Sequence, residues 1–156
     1  MSQLNQFKVL PKLVGIWRGN WQALDPQGQE KYKFTSLISH KIVDNQWVQT
    51  NEHSYSDGRR EIIHFFGKVM GNNQLLLSSP DPPYSEFRML VYELDLNLII
   101  IQVYHQTSGL ALTTETINLV SPTTRIRTLQ QFHTSDGKIR GFSLVFEHKI
   151  SNIKID

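Results

Sequence analysis

The sequence predicts an all-β protein built as a single closed antiparallel up-and-down barrel of about ten strands with a short N-terminal helix. Segments rich in Val, Ile, Thr, Tyr, Phe and Trp recur along the 156 residues and are separated by clusters of Gly, Pro, Asn, Asp and Ser, which is typical of short antiparallel strands. Helical periodicity is almost absent. Because an open meander leaves two unpaired edge strands, closure into a barrel is favoured.

The connections between these segments predict a simple meander. Stretches such as Asp25-Pro26-Gln27-Gly28 and Ser135-Asp136-Gly137 supply residues that tolerate positive φ or form Asx turns. Such short turns join strands that are neighbours in sequence. The predicted strands cover residues 14–24, 31–41, 43–55, 61–69, 74–79, 85–94, 97–105, 110–120, 123–133 and 139–150.

Two segments fall outside this strand pattern. Residues 2–13 carry apolar side chains at roughly helical spacing and predict a short helix that caps one end of the barrel and ends at Pro11. Residues 79–84 read Ser-Pro-Asp-Pro-Pro-Tyr, and three of these six residues lack a backbone N–H donor. This second segment is therefore predicted as a stiff loop, either a lid or a corner.

Composition excludes several function classes. The net charge of +2 arises from 16 basic and 14 acidic residues spread along the chain, so no strong field for nucleic acid or a membrane surface is expected. No segment approaches the ~20 apolar residues of a membrane span, and no signal peptide pattern is seen. The absence of cysteine fits a reducing compartment. We expect one domain over residues 1–156, located in the cytoplasm.

No pattern of catalytic or metal-binding residues stands out. The six histidines form no ligand pair at a diagnostic spacing, so no metal site is predicted. The sequence also lacks a G-x-S-x-G element and offers no Ser, His and Asp set that would nominate a triad. Catalytic residues therefore remain unassigned.

The segment Gly15-Ile16-Trp17-Arg18-Gly19 resembles the opening of lipocalins and other calycins. In those closed antiparallel barrels a G-x-W tryptophan fills one end of the interior. The resemblance implies that Gly15 and Trp17 belong to the closed end of the barrel. It also implies that an arginine from a late strand, here Arg125, packs over the tryptophan.

A second motif runs from residue 115 to residue 147. It resembles the S-type chromophore lyases, which attach phycobilins to cyanobacterial light-harvesting proteins, and the related uncharacterised lipocalin-like proteins of cyanobacteria and plastids. Four departures weaken the lyase resemblance. Asn118 replaces Trp, Thr123 replaces Asn, and Glu147-His148-Lys149 replaces E-I-R. The basic and histidine-containing stretch that the lyases carry after the G-x-W tryptophan is also missing from residues 18–24. The residues that match in order and spacing are Glu115, Ile117, Pro122, Arg125, Arg127, Thr128, Ser143 and Glu147.

Strand alternation places unusual polar residues together. Gln49, Asn51 and His53 share one face of the third strand with Trp47 and Tyr55, as expected for a ligand-holding interior or for a half-exposed strand.

Arg125 and Arg127 likewise share a face of the ninth predicted strand, between strands that carry Glu115 and Glu147. Three arrangements remain open for these arginines: a socket for a ligand carboxylate, support of Trp17, or outward pairs on the surface.

The sequence predicts a barrel that binds a hydrophobic small molecule in its interior. The resemblance implies a bilin or another tetrapyrrole as ligand, with phycobiliprotein subunits as protein partners and no further cofactor. Two alternatives are an S-type lyase that delivers phycobilin to a partner cysteine and a structural barrel without ligand. The predicted ligand-binding residues are Trp47, Asn51, Tyr104, Glu115, Arg127, Gln131 and Glu147, and the predicted closed end contains Gly15, Trp17 and Arg125.

Overall fold

A computed structural model describes residues 3–152 as one closed antiparallel barrel of ten strands. Each strand pairs with its neighbours along the chain, and β1 closes the barrel by pairing with β10. This confirms the predicted fold class and strand number. The strands are β1 Gly15–Leu24, β2 Glu30–Val43, β3 Gln46–Tyr55, β4 Arg60–Gly71, β5 Gln74–Ser78, β6 Phe87–Leu94, β7 Leu98–His105, β8 Ala111–Ser121, β9 Thr124–Phe132 and β10 Ile139–Ser151.

Within residues 3–152 the helical content is confined to three short pieces. They are a 3-10 turn at Leu4–Gln6, helix α1 at Leu10–Leu13, and a 3-10 turn at Tyr84–Glu86. Pro11 lies in the first turn of α1 and does not end the helix as predicted. Its missing N–H is harmless there because the first amides of a helix have no intrahelical partner. Over residues 3–152, no helix has the length and hydropathy needed to cross a membrane.

The N-terminal segment, residues 4–13, closes one end of the barrel. Five of its apolar side chains are buried in the core, among them Leu10 and Leu13 of α1. The carboxylate of Glu93 accepts hydrogen bonds from the backbone N–H groups of Lys8, Val9 and Leu10 at 2.7, 2.5 and 2.6 Å. These amides precede or begin α1 and would otherwise lack partners. One side chain of β6 therefore fixes this N-terminal segment, which we call the plug, to the barrel.

The opposite end, which we call the mouth, is formed by five loops. Residues 79–86 contribute one of them, between β5 and β6. The Asp81 carboxylate accepts a hydrogen bond from the His64 backbone N–H at 2.7 Å, and the ring of Tyr84 packs edge-on against Phe65 and Phe87. The proline-rich segment is thus anchored as a corner of the mouth. The other mouth loops are residues 25–29, 56–59, 106–110 and 133–138.

Most strand boundaries differ from the prediction by one or two residues, and the largest difference is at the start of β3. The sequence predicted a strand from residue 43 to 55, but Asp44 and Asn45 form a tight turn with φ values of 50° and 61°. Asp and Asn tolerate this left-handed region better than most residues, and two-residue hairpins require it. β2 therefore runs on to Val43, and β3 begins at Gln46.

Candidate ligand cavity

The barrel encloses a cavity of about 750 Å³ that opens at the mouth. Leu10 and Leu13 of α1 contribute to its floor. The volume lies within the range of roughly 300 to 1,000 Å³ found for small-molecule sites in proteins. The interior of this barrel is therefore not completely filled by its own side chains.

The cavity has two chemically different walls. Between the mouth and the floor, β4 to β7 contribute apolar side chains, including Ile63, Leu77, Met89 and Val103. β1 to β3 and β8 to β10 contribute a mixture of aromatic, amide, imidazole and charged groups. Every second residue of each strand faces inward. The two walls differ because these inward positions carry different residue types in the two sets of strands.

An aromatic strip covers part of the polar wall. Trp21 stacks on Phe34 with ring centres 5.0 Å apart, and Phe34 lies 4.9 Å from Tyr55 and 6.1 Å from Tyr32. The imidazole of His53 lies 5.0 Å from Phe34 and 5.5 Å from Trp21. These five rings line the cavity, and their faces offer an aromatic surface to a planar molecule.

Arg125 lies at the closed end, fully buried with Trp17 and Glu147. Its Nε and Nη2 donate to the two carboxylate oxygens of Glu147 at 2.8 and 3.0 Å. Its guanidinium carbon lies 4.3 Å from the ring centre of Trp17, close enough for a cation–π contact. A third donor, Nη1, reaches His40 Nε2 at 2.9 Å. The bidentate pair, the aromatic face and the imidazole leave Arg125 well satisfied.

Arg127 lies one step closer to the mouth and lines the cavity. Its Nε donates to Glu115 at 2.6 Å, its Nη1 lies 3.6 Å from Glu147, and its guanidinium carbon is 5.1 Å from the ring centre of Trp21. Both arginines point inward, so the expectation of outward surface pairs is wrong. The four buried charges sum to zero. Arg127 is thus already engaged by two carboxylates of the protein.

Arg125, Arg127, Glu115 and Glu147 form an ion network, and each member changes the pKa of the others. Burial raises the pKa of Glu147, but Arg125 and Arg127 more than offset this and hold the pKa below its ordinary value. Burial also raises the pKa of Glu115, and Arg127 offsets only part of that increase. The pKa of Arg127 is raised, because Glu115 and Glu147 outweigh the cost of burial.

His40 is buried beside this network and is held in its neutral form. Burial, followed by the charges of Arg125 and Arg127, lowers its pKa well below the ordinary value. Its Nε2 faces a guanidinium, which has only donors, so Nε2 must accept and the proton resides on Nδ1. The ring packs against Trp47 with centres 4.8 Å apart.

A short glycine contact permits this packing. A Cβ atom on Gly19 would lie 2.6 Å from Ser36 Oγ and 2.9 Å from Glu147 Cγ. Any side chain here would displace the carboxylate that holds both arginines. At Gly15 the backbone adopts φ of +134°, and a Cβ atom would lie 2.5 Å from the carbonyl oxygen of Ser151. The two glycines flanking Trp17 are therefore explained by the close approach of β10 and, at Gly19, also of β2.

The structure places most of the predicted site residues in the interior. Trp47, Asn51, Glu115, Arg127 and Gln131 line the cavity. Glu147 is fully buried behind the lining and contacts both arginines. At the closed end, Trp17 Nε1 donates to the carbonyl of Leu13 at 2.8 Å, which joins the plug to β1.

Tyr104 is the exception among these residues. It lies on the face of β7 opposite to Val103 and His105, which line the cavity, and its hydroxyl donates to Gln102 at 3.0 Å. The inward positions of β7 are thus the odd-numbered ones, and a one-residue error in strand face produced the wrong choice.

Several cavity residues were missed by the sequence reasoning. Trp21, Phe34 and Tyr84 line the cavity but were not selected. Trp21 could have been found, because it lies four residues after Trp17 and so shares its strand face. His53 was placed on the correct face but not chosen. Residues 3–152 contain no group of three His, Asp or Glu side chains arranged to hold a metal ion.

The fold and cavity define a lipocalin-like barrel, as the sequence resemblance implied. No protein-family model matches the sequence, and no curated protein matches it.

Solved structures match its fold along nine tenths of the chain. A protein of unknown function from the DUF3598 family of Nostoc punctiforme has 16% identity and a TM-score of 0.67, with 90% of this chain aligned to 49% of that one. This chain therefore spans about half of that protein. The S-type phycobiliprotein lyase CpeS from Guillardia theta has 14% identity and a TM-score of 0.64, with 90% of this chain aligned to 89% of that one. The M. tuberculosis protein Rv2717c has 12% identity and a TM-score of 0.61, at 90% and 94% coverage.

Proposed function

We propose that this barrel binds a hydrophobic, planar small molecule in its interior. The cavity of about 750 Å³, with an aromatic strip on one side and an aliphatic wall on the other, is the observation that carries the proposal. A flat conjugated molecule placed between these walls would bury apolar area on both faces, at roughly 25 cal/mol per Å². The fixed plug and the open mouth give one route of entry.

A bilin or another tetrapyrrole is the ligand that we propose. Such molecules are planar, conjugated and largely apolar, and they carry propionate groups. The interior arginines are already paired with Glu115 and Glu147, so we place the propionates at the mouth, where Arg140 and His133 line the opening. The S-type motif of the sequence and the fold shared with a phycobiliprotein lyase support this choice of ligand.

A lyase that transfers phycobilin to a cysteine of a phycobiliprotein subunit, in the cytoplasm, is the second candidate. In that reaction the barrel would supply binding and orientation, while the bilin and the acceptor thiol supply the reacting atoms. Four of the shared motif residues, Glu115, Arg125, Arg127 and Glu147, form the buried ion network, so their presence is accounted for by folding. Asn118, where the lyases carry Trp, is exposed on the outer face. Binding without transfer is therefore ranked first.

The experiment is an absorbance titration of the protein with phycocyanobilin. Thr113 lines the cavity, whereas Thr114 lies on the outer face and bonds to Gln130. Thr113→Trp should fill the interior and weaken binding at least about tenfold, while Thr114→Trp, the matched control, should bind as the parent does. Circular dichroism would verify that both variants fold.

Three outcomes discriminate between the candidates. Absence of a spectral shift and of co-elution with the parent protein would overturn the bilin proposal. Equal binding by the two tryptophan variants would move the site out of the barrel interior. Transfer of the bound bilin to an added phycobiliprotein subunit would replace simple binding by the lyase function.

A further inference from the structure

A chain of hydrogen bonds along the inner face of β3 fixes the orientation of two amides. Trp47 Nε1 donates to Gln49 Oε1 at 3.0 Å, and Gln49 Nε2 donates to Asn51 Oδ1 at 2.8 Å. An indole N–H can only donate, so each acceptor in the chain must be an amide oxygen. The Asn51 amide nitrogen, which hydrogen-bonds to none of the described residues, is therefore a donor held at the cavity wall.

The next inward residue on β3 is His53, whose ring presents a hydrogen-bond acceptor beside the Asn51 donor. The residue is only 7% exposed and lines the cavity, yet neither ring nitrogen makes a hydrogen bond within residues 3–152. Nδ1 lies 3.4 Å from Glu61 Oε1, and this carboxylate favours the tautomer with the proton on Nδ1. Nε2 is then an acceptor without a partner, whose burial costs free energy unless a ligand or water satisfies it.

The charged side chains near Asn51 and His53 also restrict the kind of ligand group that can bind there. The buried Arg and Glu side chains neutralise one another, so a ligand carboxylate placed beside them would meet Glu115 and Glu147 as well as the arginines. Burial lowers the pKa of His53 despite the nearby Glu61, so its ring is also uncharged at neutral pH. Apart from the Glu61 carboxylate beside His53, whose side chain is 48% exposed, the groups left to recognise a ligand here are uncharged donors and acceptors.

We propose that Asn51 and His53 together recognise an uncharged lactam or amide edge of the ligand, with its carbonyl accepting from Asn51 and its N–H donating to His53 Nε2. The two side chains are successive inward residues of one strand, about 7 Å apart along it. The aromatic rings of Trp21 and Phe34 beside His53 would hold the plane that carries this edge. The inference rests on the proposed function, because it assigns the ligand class to the same cavity.

Three fluorescent probes of nearly equal shape test this specificity. Phenanthrene has no polar edge, phenanthridinone carries a lactam, and N-methylphenanthridinone carries a methyl group in place of the lactam N–H. The parent protein should bind phenanthridinone at least about tenfold more tightly than its N-methyl analogue, because a site built to hydrogen-bond an N–H rejects an analogue without it. His53→Phe should reduce this ratio to about one, whereas Asn51→Leu should weaken both lactam probes relative to phenanthrene, because both keep the carbonyl that Asn51 binds. His148→Phe, at an exposed position on the outer face of β10, is the matched control and should retain the ratio.

The outcomes separate this inference from the proposed function. If all three probes fail to bind, the hydrophobic cavity proposal itself is lost. If phenanthrene binds but the two lactam probes bind equally to the parent protein, only the recognition of a lactam edge is overturned. That comparison uses only the parent protein, so it tests the recognition of a lactam edge even if a substitution prevents folding. Retention of the ratio in folded His53→Phe would also overturn the role of His53.

Discussion

Arg125 stacks its guanidinium 4.3 Å from the ring centre of Trp17 while binding both carboxylate oxygens of Glu147. All three side chains are fully buried. The contact joins β9 and β10 to the tryptophan of β1 at the point where the barrel closes. A motif at the start of the chain and a motif near its end are thus two parts of one structural unit.

Removal of Arg125 should strongly destabilise the protein. Arg125→Leu leaves Glu147 buried with only the more distant Arg127 as a counter-charge, and breaking a buried pair costs about 3 to 5 kcal/mol. The double variant Arg125→Leu with Glu147→Leu should recover much of this loss, since neither charge remains. Urea unfolding would measure both. A loss below about 1 kcal/mol in the single variant would contradict the importance of the pair.

Gly19 should not tolerate even a methyl group. The added Cβ would lie 2.6 Å from Ser36 Oγ and 2.9 Å from Glu147 Cγ, so the ion network must shift. We expect Gly19→Ala to cost about 1 to 3 kcal/mol, as overpacked positions do. Gly71 is the matched control, because its added Cβ would meet nothing closer than 4.0 Å. Thermal unfolding of both variants is the measurement, and equal melting temperatures would refute the close approach.

Glu93 should govern the opening of the cavity floor. In Glu93→Gln the carboxylate that accepts from Lys8, Val9 and Leu10 becomes an amide with one acceptor atom. Each hydrogen bond to a charged group contributes about 1.5 to 3 kcal/mol. Hydrogen exchange of these three amides should therefore accelerate at least about tenfold. Glu86→Gln at the mouth should leave their exchange unchanged, and unchanged exchange in Glu93→Gln would disprove the anchor.

Stability should decrease below pH 6.5 because His40 is buried in neutral form. Burial and the two arginines lower its pKa in the folded state well below 6.5, whereas the unfolded chain binds a proton near 6.5. The unfolded state then holds more protons, so stability falls as the pH decreases through this range, by up to about 1.4 kcal/mol per pH unit. Urea unfolding between pH 7 and 5.5 should show a shallower slope for His40→Gln. Identical slopes in the parent protein and in folded His40→Gln would contradict the assignment.

Local pattern was enough to predict much of this molecule. Turn residues and β-branched segments gave the number and order of strands, because these preferences act between neighbours in sequence. Alternation correctly joined Trp47 and Asn51 on one face of β3 and placed Arg127 on the same face of its strand as Arg125. It did not reveal which face of β7 looks inward, and Tyr104 was consequently misplaced.

The closed barrel determines which partner each buried charged side chain contacts. The sequence showed that Arg125 and Arg127 needed carboxylates, but only tertiary structure assigned Glu147 to the first and Glu115 to the second and stacked them on Trp17 and Trp21. The same holds for Glu93, which anchors an amide 84 positions away in sequence. Such contacts depend on the register and curvature of ten paired strands, which no local preference contains. The sequence determined the strands and the alternation of their faces, and the fold determined which face looks inward and what each buried group meets.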